Sequence, residues 1–313
     1  MDLIADIGAT RARCALLDDR GRVLAPEIFR NGDFTGVDGL LKIYLDHRRE
    51  SDRPKRAALA IAAPILSDDV RMVNIDWRFS QSALKDQLEL TRLSVVNDFA
   101  AVAWGLTDLT ARDLEKVGGG TAVPHTPMAV LGPGSGLGMA TLVPCADSWA
   151  VAGGEGGNAT LAAGTPEEAA VAEVIRREQG HCSAESLLSG PGLVAIYNAL
   201  AKINNRKVAD ATATEITELA ASGHPFARDA QNMFFAALGS TAGNLALTVG
   251  ATGGVFIAGG IIPQLLKAFI KSGFRERFEA KGRYRGYMEA IPTYVITDPL
   301  PAFRGLRKIL GYK

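Results

Sequence analysis

The stretch "GGEGGNAT", residues 153–160, places a single carboxylate, Glu155, between two pairs of glycines. The glycines supply flexibility and access, and they favour neither helix nor strand. A carboxylate on such a loop can accept hydrogen bonds from two hydroxyl groups of one polyol. Glu155 is therefore a candidate sugar-binding residue, and a solvated loop glutamate is the alternative.

A second acid, Asp98, stands where the strand-like run "LSVV" passes into the helix-like run "FAAVAW". Asp and Asn are preferred helix N-caps, so one interpretation of Asp98 is a cap. The other is a general base at the carboxyl end of a strand, where open α/β sheets present their ligands. A third acid, Glu185 in "SAESLLSGPG", is by itself typical of a helical surface.

Three glycine-containing loops, at residues 6–11, 132–138 and 258–261, each follow an apolar strand-like run. Glycine lets backbone N–H groups approach an anionic oxygen with no Cβ in the way. For any one loop a tight hairpin turn is the alternative, and none has the GxxxxGK[ST] spacing of a P-loop. Together the three loops predict a cradle for nucleotide phosphates.

Other kinds of chemistry find little support in the sequence. Its four histidines show no metal-ligand spacing, and no Ser-His-Asp or Cys-His pattern indicates covalent catalysis. The three cysteines are far apart and odd in number, as expected for free thiols in a reducing compartment.

Composition narrows the class of protein further. The chain has 313 residues, with 34 basic and 34 acidic side chains and a formal net charge of zero. No overall field therefore attracts nucleic acid or anionic lipid. Because no run of about 18 apolar residues occurs, no membrane span is expected. We predict a cytoplasmic protein whose partners include neither nucleic acid nor membrane.

The elements that must position these residues suggest a repeated plan. The first 30 residues predict three antiparallel strands, and strands and helices then alternate to about residue 108, as in a mixed α/β lobe. "MAVLGPGSGLGMATLVP" repeats the opening order of strand, glycine-rich turn and strand. This similarity predicts a weak internal duplication. A chain of this length favours two lobes, because single cores stop growing at roughly 250–300 residues.

Helical patterns dominate residues 167–200 and 227–247. "GGVFIAGGIIPQLLKAFI" then predicts a strand, a Gly-Gly turn and a helix with Pro263 near its first turn. A last strand, "TYVITD", and a short helix, "FRGLRKIL", follow.

In chain order, six motifs resemble the landmarks of the bacterial glucokinases of the hexokinase superfamily: "DIGATRAR", "VVNDFAAVAWGL", "GPGSGLGMA", "GGEGGNAT", "HCSAESLLSGPGLVAIYNAL" and "GGVFIAGGIIP". The resemblance covers nearly the whole chain. It implies an α/β chain with the two-lobed actin-like (ribonuclease-H-like) ATPase fold and a central cleft. We expect a small lobe at 1–108 completed by 298–313, a large lobe at 109–297, and a homodimer.

The resemblance also implies roles for individual residues. Asp98 would be the general base that takes the proton from the sugar 6-hydroxyl as it attacks the γ-phosphate of ATP. The residues that would hold the other sugar hydroxyls are Asn97, Glu155, Asn158 and Glu185.

For the nucleotide, the resemblance implies two phosphate-binding hairpins and a third loop against the adenosine. Asp6 would lie near a Mg²⁺ ion, so the expected cofactors are ATP and Mg²⁺. The nucleotide-binding residues would be Asp6, Gly8, Ala9, Thr10 and Arg11, then Gly134, Ser135 and Gly136, and finally Gly259 and Gly260.

Two departures from the family pattern keep alternatives open. The first hairpin of the family is DxGGTNxR, whereas this chain has Ala9 and Arg11 in place of a glycine and an asparagine. Alanine tolerates positive φ poorly, so the hairpin must avoid that region at residue 9 or be strained. Asn158 replaces the sugar-contacting histidine of the family's GEGGH. The expected activity is that of a glucokinase; the alternatives are a kinase for another hexose or sugar derivative, and a non-catalytic sugar or nucleotide sensor.

Overall fold

The structure is a computed structural model that describes residues 1–312, and it has an α/β fold. The strands are β1 (Asp2–Ile7), β2 (Arg11–Leu17), β3 (Val23–Arg30), β4 (Arg56–Ile61), β5 (Asp69–Arg71), β6 (Arg78–Ser80), β7 (Arg92–Asn97), β8 (Leu114–Gly118), β9 (Met128–Pro133), β10 (Leu137–Cys145), β11 (Ser148–Gly154), β12 (Val255–Ile257) and β13 (Thr293–Ile296). The α-helices are α1 (Val37–Asp46), α2 (Gln81–Gln87), α3 (Asp98–Gly105), α4 (Pro166–Gln179), α5 (Gly190–Ile203), α6 (Ala213–Ala221), α7 (Pro225–Val249), α8 (Leu266–Ile270), α9 (Phe274–Glu279), α10 (Arg285–Ala290) and α11 (Pro301–Ile309).

Contacts between residues divide the chain into two compact units. The first unit contains residues 1–110, 149–154 and 298 onward, and the second contains residues 111–148 and 155–297. Each unit has its own apolar core. Cys14 is buried in the core of the first, and Cys182 in that of the second.

The sheet of the first unit has the strand order β3-β2-β1-β4-β7. β1 pairs with β2 in antiparallel fashion and with β4 in parallel, and β4 pairs in parallel with β7. Ile7 is in register with Ile61, which is in register with Asn97. The carboxyl ends of three parallel strands therefore meet at one edge of the sheet, which is the edge where α/β folds bind ligands.

The second large sheet has the order β11-β10-β9-β12-β13-β8. Its first five strands repeat the plan of the other sheet: β9 is antiparallel to β10 and parallel to β12, and β12 is parallel to β13. The predicted internal duplication is therefore confirmed at the level of topology. The sixth strand, β8, was not predicted from the sequence, and it pairs in antiparallel fashion with β13.

Helix ends follow ordinary capping chemistry. Ser80 caps α2 by accepting a hydrogen bond from the N–H of Ala83. Thr165 caps α4, Pro166 occupies its first turn, and Gly180 ends it in the left-handed region with φ of 80°. Among residues 1–312, no helix combines the length and apolar character needed to cross a membrane.

Helices α3 and α11 of the first unit pack through glycine. A Cβ on Gly305 would lie 1.8 Å from the carbonyl oxygen of Ala101, and a Cβ on Gly105 would lie 3.0 Å from that of Pro301. Only glycine permits this close approach of two helix backbones. The C-terminal helix α11 therefore supports α3, the helix that begins at Asp98.

Candidate active site

Residues 8–10 form the first hairpin, which connects β1 and β2. The N–H of Gly8 donates to the carbonyl of Arg11 at 3.1 Å. Ala9 is not among the residues with positive φ, so the hairpin avoids the left-handed region at this position. The alanine that departs from the family pattern is thus accommodated without backbone strain. Thr10 and Arg11 are exposed at the start of β2.

Asn31, just after β3, donates two hydrogen bonds to the first hairpin. Its side-chain Nδ2 donates to the carbonyl of Gly8 at 2.8 Å, and its backbone N–H donates to the carbonyl of Thr10 at 3.0 Å. The side chain is almost completely buried. Asn31 was not predicted as a site residue: the Asn-Gly pair at 31–32 signals a turn, but no local pattern indicates a partner 23 residues away.

Asp6 is the second-last residue of β1, two positions before the first hairpin. Its Oδ2 accepts a hydrogen bond from Nη1 of Arg13 at 3.2 Å. Burial raises the pKa of the Asp6 carboxyl, and the positive charge of Arg13 opposes that rise.

The donor set suits a nucleotide-bound magnesium ion. Residues 1–312 contain no group of three or more His, Cys, Asp or Glu side chains that could form a metal site by themselves. Mg²⁺ that binds with a nucleotide needs only one or two protein carboxylates, because phosphates and water supply the other ligands. Asp6, the acid of the first hairpin, fits that requirement.

At the junction of β7 and α3, the helix cap is Asn97 and not Asp98. Oδ1 of Asn97 accepts from the N–H groups of Phe99 and Ala100 at 2.9 and 3.2 Å. Its Nδ2 donates to the carbonyl of Ala63 at 3.3 Å. Asp98 is the first residue of α3, and its Oδ1 accepts from the N–H of Phe99 at 2.9 Å. Capping therefore explains Asn97 and does not explain Asp98.

Residues 134–136 form the second hairpin, which connects β9 and β10 in the same way as the first connects β1 and β2. The N–H of Gly134 donates to the carbonyl of Gly136 at 2.8 Å, and Ser135 is exposed at the tip. No atom lies within 4 Å of a Cβ added to Gly134. This open face leaves room for an anionic group beside the backbone.

Glu185 lies against the second hairpin. The N–H of Leu137 donates to its carboxylate oxygen Oε2 at 2.7 Å, and a Cβ on Gly136 would lie 2.5 Å from the same oxygen. The contact joins residues 48 positions apart. The sequence alone is typical of a surface acid at this position; the structure instead makes Glu185 part of the hairpin's surroundings.

Residues 155–160, called here the glutamate loop, begin with a 3₁₀ turn over Gly156–Asn158. Glu155 occupies the N-cap position, but its exposed side chain makes no capping hydrogen bond. Asn158 is also exposed, and its backbone N–H donates to the carbonyl of Glu155 at 2.9 Å. Two acids and an amide thus belong to one region of the second unit, since the N–H of Glu185 donates to the carbonyl of Gly157 at 2.8 Å.

Two glycines of the glutamate loop have a packing role that sequence reasoning did not find. A Cβ on Gly157 would lie 2.0 Å from the carbonyl oxygen of Leu137, and one on Gly156 would lie 2.5 Å from the sulfur of Met139. The flexibility proposed for these glycines is therefore not their main contribution. They let the loop lie directly on β10.

The third glycine loop follows β12 and packs on the end of β9. Gly259 has φ of 84°, and its Cβ would lie 2.4 Å from the carbonyl oxygen of Pro133. The N–H of Ala258 donates to the carbonyl of Leu131 at 2.8 Å. Gly259 and Gly260 are exposed. The second unit thus brings together the second hairpin, the glutamate loop, Glu185 and the third loop.

The predicted residues are therefore divided between the two units. Those of the first unit lie on the first hairpin and at the β7–α3 junction: Asp6, Gly8, Ala9, Thr10, Arg11, Asn97 and Asp98. Those of the second unit form the cluster just described: Gly134, Ser135, Gly136, Glu155, Asn158, Glu185, Gly259 and Gly260.

Known proteins have similar sequences and the same fold. A family model described as glucokinase matches residues 3–312. A glucokinase of Paramagnetospirillum magneticum is 45% identical over 308 residues, which cover 98% of this chain and 96% of that protein. The crystal structure of a glucokinase from an Antarctic psychrotroph has a TM-score of 0.86 and 35% identity, covering 100% of this chain and 99% of that chain.

A more distant structure has the same fold. It is a ROK family glucokinase from Streptomyces griseus in complex with glucose and AMPPNP, with a TM-score of 0.67 and 18% identity over 98% of both chains. These similarities confirm the predicted actin-like ATPase fold. Together with the whole-length family match, they settle the assignment: the chain belongs to the glucokinase family of sugar phosphotransferases.

Proposed function

We propose that this protein is an ATP-dependent hexose kinase that transfers the γ-phosphoryl group of ATP to the 6-hydroxyl of glucose. The observation that carries the proposal is the arrangement of the two polar residues at the start of α3. Asn97 supplies the side-chain cap of the helix, and Asp98, the first residue of α3, places a carboxylate at the carboxyl end of β7. Family membership and the glucose and AMPPNP bound to the Streptomyces griseus protein supply the substrates.

In this proposal Asp98 is the general base. It lies in the first turn of α3, at the carboxyl end of β7. The positive end of a helix dipole interacts favourably with a carboxylate in the first turn. Phosphoryl transfer depends mainly on positioning and charge stabilisation. The position of the base relative to the attacking hydroxyl therefore matters more than its basicity.

Four side chains are proposed to hold the sugar: Asn97, Glu155, Asn158 and Glu185. The carboxylate of Glu155 is exposed and is not used in capping, so it is available to two sugar hydroxyls. Asn97 uses its Oδ1 in the cap and one Nδ2 hydrogen towards Ala63, which leaves its second Nδ2 hydrogen for a hydroxyl oxygen.

The two hairpins are proposed to bind the phosphates of ATP, and Gly259 with Gly260 to lie beside the adenosine. In the first hairpin the contacts would come from residues 8–11, and in the second from residues 134–136. Mg²⁺, held through Asp6, would neutralise charge on the β- and γ-phosphates. Backbone N–H groups near the glycines would donate to the phosphate oxygens.

The proposal is tested by measuring ADP formation in a coupled assay with glucose, mannose, fructose and glucosamine. We expect sugar-dependent ADP formation that requires Mg²⁺ and is fastest with one of these hexoses. No sugar-stimulated ADP formation with any of the four would sink the kinase proposal. Sugar or nucleotide binding without turnover would instead identify a sensor.

The role of Asp98 is tested by Asp98→Ala and by the isosteric Asp98→Asn. Loss of a general base lowers kcat by about 10²–10⁴-fold, so both variants should lose most turnover. Sugar affinity, measured by titration calorimetry, should change little, since the other hydroxyl contacts remain. Turnover of Asp98→Asn close to that of the unmodified protein would show that Asp98 is not the base.

We further propose that the chain works as two lobes, 1–108 with 298–313, and 109–297. Division of the contacts after Thr110 and before Asp298 supports these limits, whereas residues 149–154, proposed for the large lobe, group with the first unit. The expected homodimer stays a prediction, and light scattering with mass determination in solution tests it.

A further inference from the structure

The segment from Ala184 to Gly190 contacts two features for which separate ligands are proposed. Towards the glutamate loop, the N–H of Ala184 donates to the carbonyl of Ala159 at 2.9 Å, and that of Glu185 to Gly157 at 2.8 Å. Towards the second hairpin, the N–H of Gly190 donates to the carbonyl of Gly134 at 2.8 Å. One short segment is therefore bonded to both the proposed sugar site and the proposed phosphate site.

Glu185 joins the two sites through its side chain as well. Its Oε2 accepts from the N–H of Leu137, the residue that follows the second hairpin, at 2.7 Å. Its Oε1 lies farther from the hairpin, 3.6 Å from a Cβ built on Gly136, and no residue among 1–312 donates a hydrogen bond to it. One oxygen is thus committed to the hairpin, and the other remains for a hydroxyl.

We propose that the second hairpin positions Glu185 for the sugar, so that Gly136 and Leu137 determine sugar affinity even when no nucleotide is bound. The inference rests on the proposed function and adds to it a role for hairpin residues that would otherwise serve only the phosphates. Gly136 and Leu137 are positioning residues, because they act on the sugar through Glu185.

The physical reason is preorganisation. A glutamate side chain has three rotatable torsions, and fixing them when a ligand binds reduces affinity. A hydrogen bond from a backbone N–H to the carboxylate fixes these torsions before the sugar arrives. Glycine at 136 is needed for this arrangement, because a methyl group there would occupy the place of Oε2.

The arrangement also links the two substrates. A ligand that shifts the second hairpin moves the donor of Glu185, and a sugar that holds Glu185 restrains the hairpin. Such coupling between two binding sites is reciprocal: each ligand changes the affinity of the other by the same factor.

The test compares two glycines of the same hairpin. Gly136→Ala places a Cβ 2.5 Å from Oε2 of Glu185, whereas Gly134→Ala places one where nothing lies within 4 Å. Neither glycine has positive φ, so neither substitution strains the backbone. Sugar binding is measured by calorimetry without nucleotide, using the hexose that the unmodified protein turns over best.

Gly136→Ala should raise the Kd for the sugar about tenfold or more, because the carboxylate loses its charge-assisted hydrogen bond. Gly134→Ala should leave that Kd within about twofold, since it touches no part of the sugar site. Equal sugar affinity in Gly136→Ala and the unmodified protein would overturn the inference and leave the kinase proposal intact. Absence of sugar binding and turnover in the unmodified protein would overturn both.

A double-mutant cycle separates positioning from general damage to the fold. In a Glu185→Ala background, Gly136→Ala should change the Kd for the sugar, measured without nucleotide, by less than about twofold, because its target is already absent. Fully additive effects of the two substitutions would contradict a pathway through Glu185.

Hydrogen exchange of the unmodified protein supplies a measurement that does not depend on any variant. The sugar alone should slow exchange of the Leu137 amide, because a held carboxylate strengthens its hydrogen bond. Unchanged exchange at Leu137 when the sugar is saturating would overturn the inference.

Discussion

Asn158 is the proposed sugar-binding residue that differs from the motif expected of the glucokinases. It is exposed at the end of the 3₁₀ turn of the glutamate loop, where the family has histidine. An asparagine amide is shorter than an imidazole and cannot become charged. If Asn158 faces the sugar as proposed, a hydroxyl within reach of a histidine there is held by water or has no protein partner.

Asn158→His should restore that contact. One hydrogen bond contributes about 0.5–1.5 kcal/mol, so the KM for glucose should fall about two- to tenfold. The measurement is the initial rate over a range of glucose concentrations, with Asn158→Ala as the matched control. A KM for glucose that is the same in Asn158→His and the unmodified protein would show that this position does not limit affinity.

Ala9 departs from the family pattern in a different way, because it replaces a glycine without requiring positive φ. Ala9→Gly should therefore lower the free energy of unfolding by about 0.4–1 kcal/mol, since glycine gives the unfolded chain more conformational freedom. The KM for ATP should stay within about twofold, because the backbone of the first hairpin keeps its shape. Urea unfolding and ATP titrations measure the two effects. A gain in stability would mean that Ala9 is strained.

At the scale of elements, the helix that begins with Asp98 is held in place by the C-terminal helix. Gly305 of α11 packs on the backbone of α3 at Ala101, one turn after Asp98. The orientation of the proposed base therefore depends on a contact between two helices that lie far apart in sequence.

Gly305→Ala should destabilise the protein by about 1–3 kcal/mol, because a methyl group cannot fit between the helices without moving them. Gly39→Ala is the matched control: it is also a helical glycine, but nothing lies within 4 Å of its Cβ. That control should gain about 0.5–1 kcal/mol from better helix propensity. Urea unfolding measures both, and opposite signs are the expected result. A loss of less than 0.5 kcal/mol in Gly305→Ala, well below the range of about 1–3 kcal/mol, would contradict the packing argument.

Some secondary-structure elements can be predicted from the sequence, and others cannot. The β7–α3 junction was predicted because an apolar strand, a capping residue and a helical pattern follow one another locally. β8 was missed because its pattern "LEKVG" has charged residues in the middle, and its partner β13 is distant in the chain. An edge strand of this kind is defined by long-range pairing.

In the candidate site, too, local patterns can be predicted from the sequence, whereas long-range contacts cannot. The motifs predict candidate site residues, because glycine spacing and lone acids are local signals. The bonds of Asn31 to the first hairpin and of Glu185 to the second connect residues 23 and 48 positions apart. Only the folded topology brings those partners together.

For the whole molecule, the three cysteines differ in burial: two lie in the two apolar cores, and one is exposed. Cys14 lies in the core of the first unit, Cys182 in that of the second, and Cys145 is exposed at the end of β10. Burial raises the pKa of the Cys14 and Cys182 thiols, so neither forms a reactive thiolate at neutral pH.

Alkylation with N-ethylmaleimide at pH 7 should therefore modify Cys145 alone in the native protein and all three cysteines in guanidinium chloride. Peptide mass spectrometry identifies the modified sites. Rapid native modification of Cys14 or Cys182 would show that the corresponding core opens readily.

The two ends of the described chain are joined within the first unit. Tyr312 donates to the carboxylate of Asp2 at 2.7 Å, and Arg56 donates to the carbonyl of Leu310 at 3.1 Å.

On the ribosome, β1 to β4 and β7 of this unit emerge before the second unit, while α11 emerges only after the second unit has been translated. At roughly 5–20 residues per second, that interval is on the order of ten seconds or more. During it the surface of α3 that faces Gly305 has no covering helix, so nascent chains at this stage should be natural clients for chaperones that recognise exposed apolar segments.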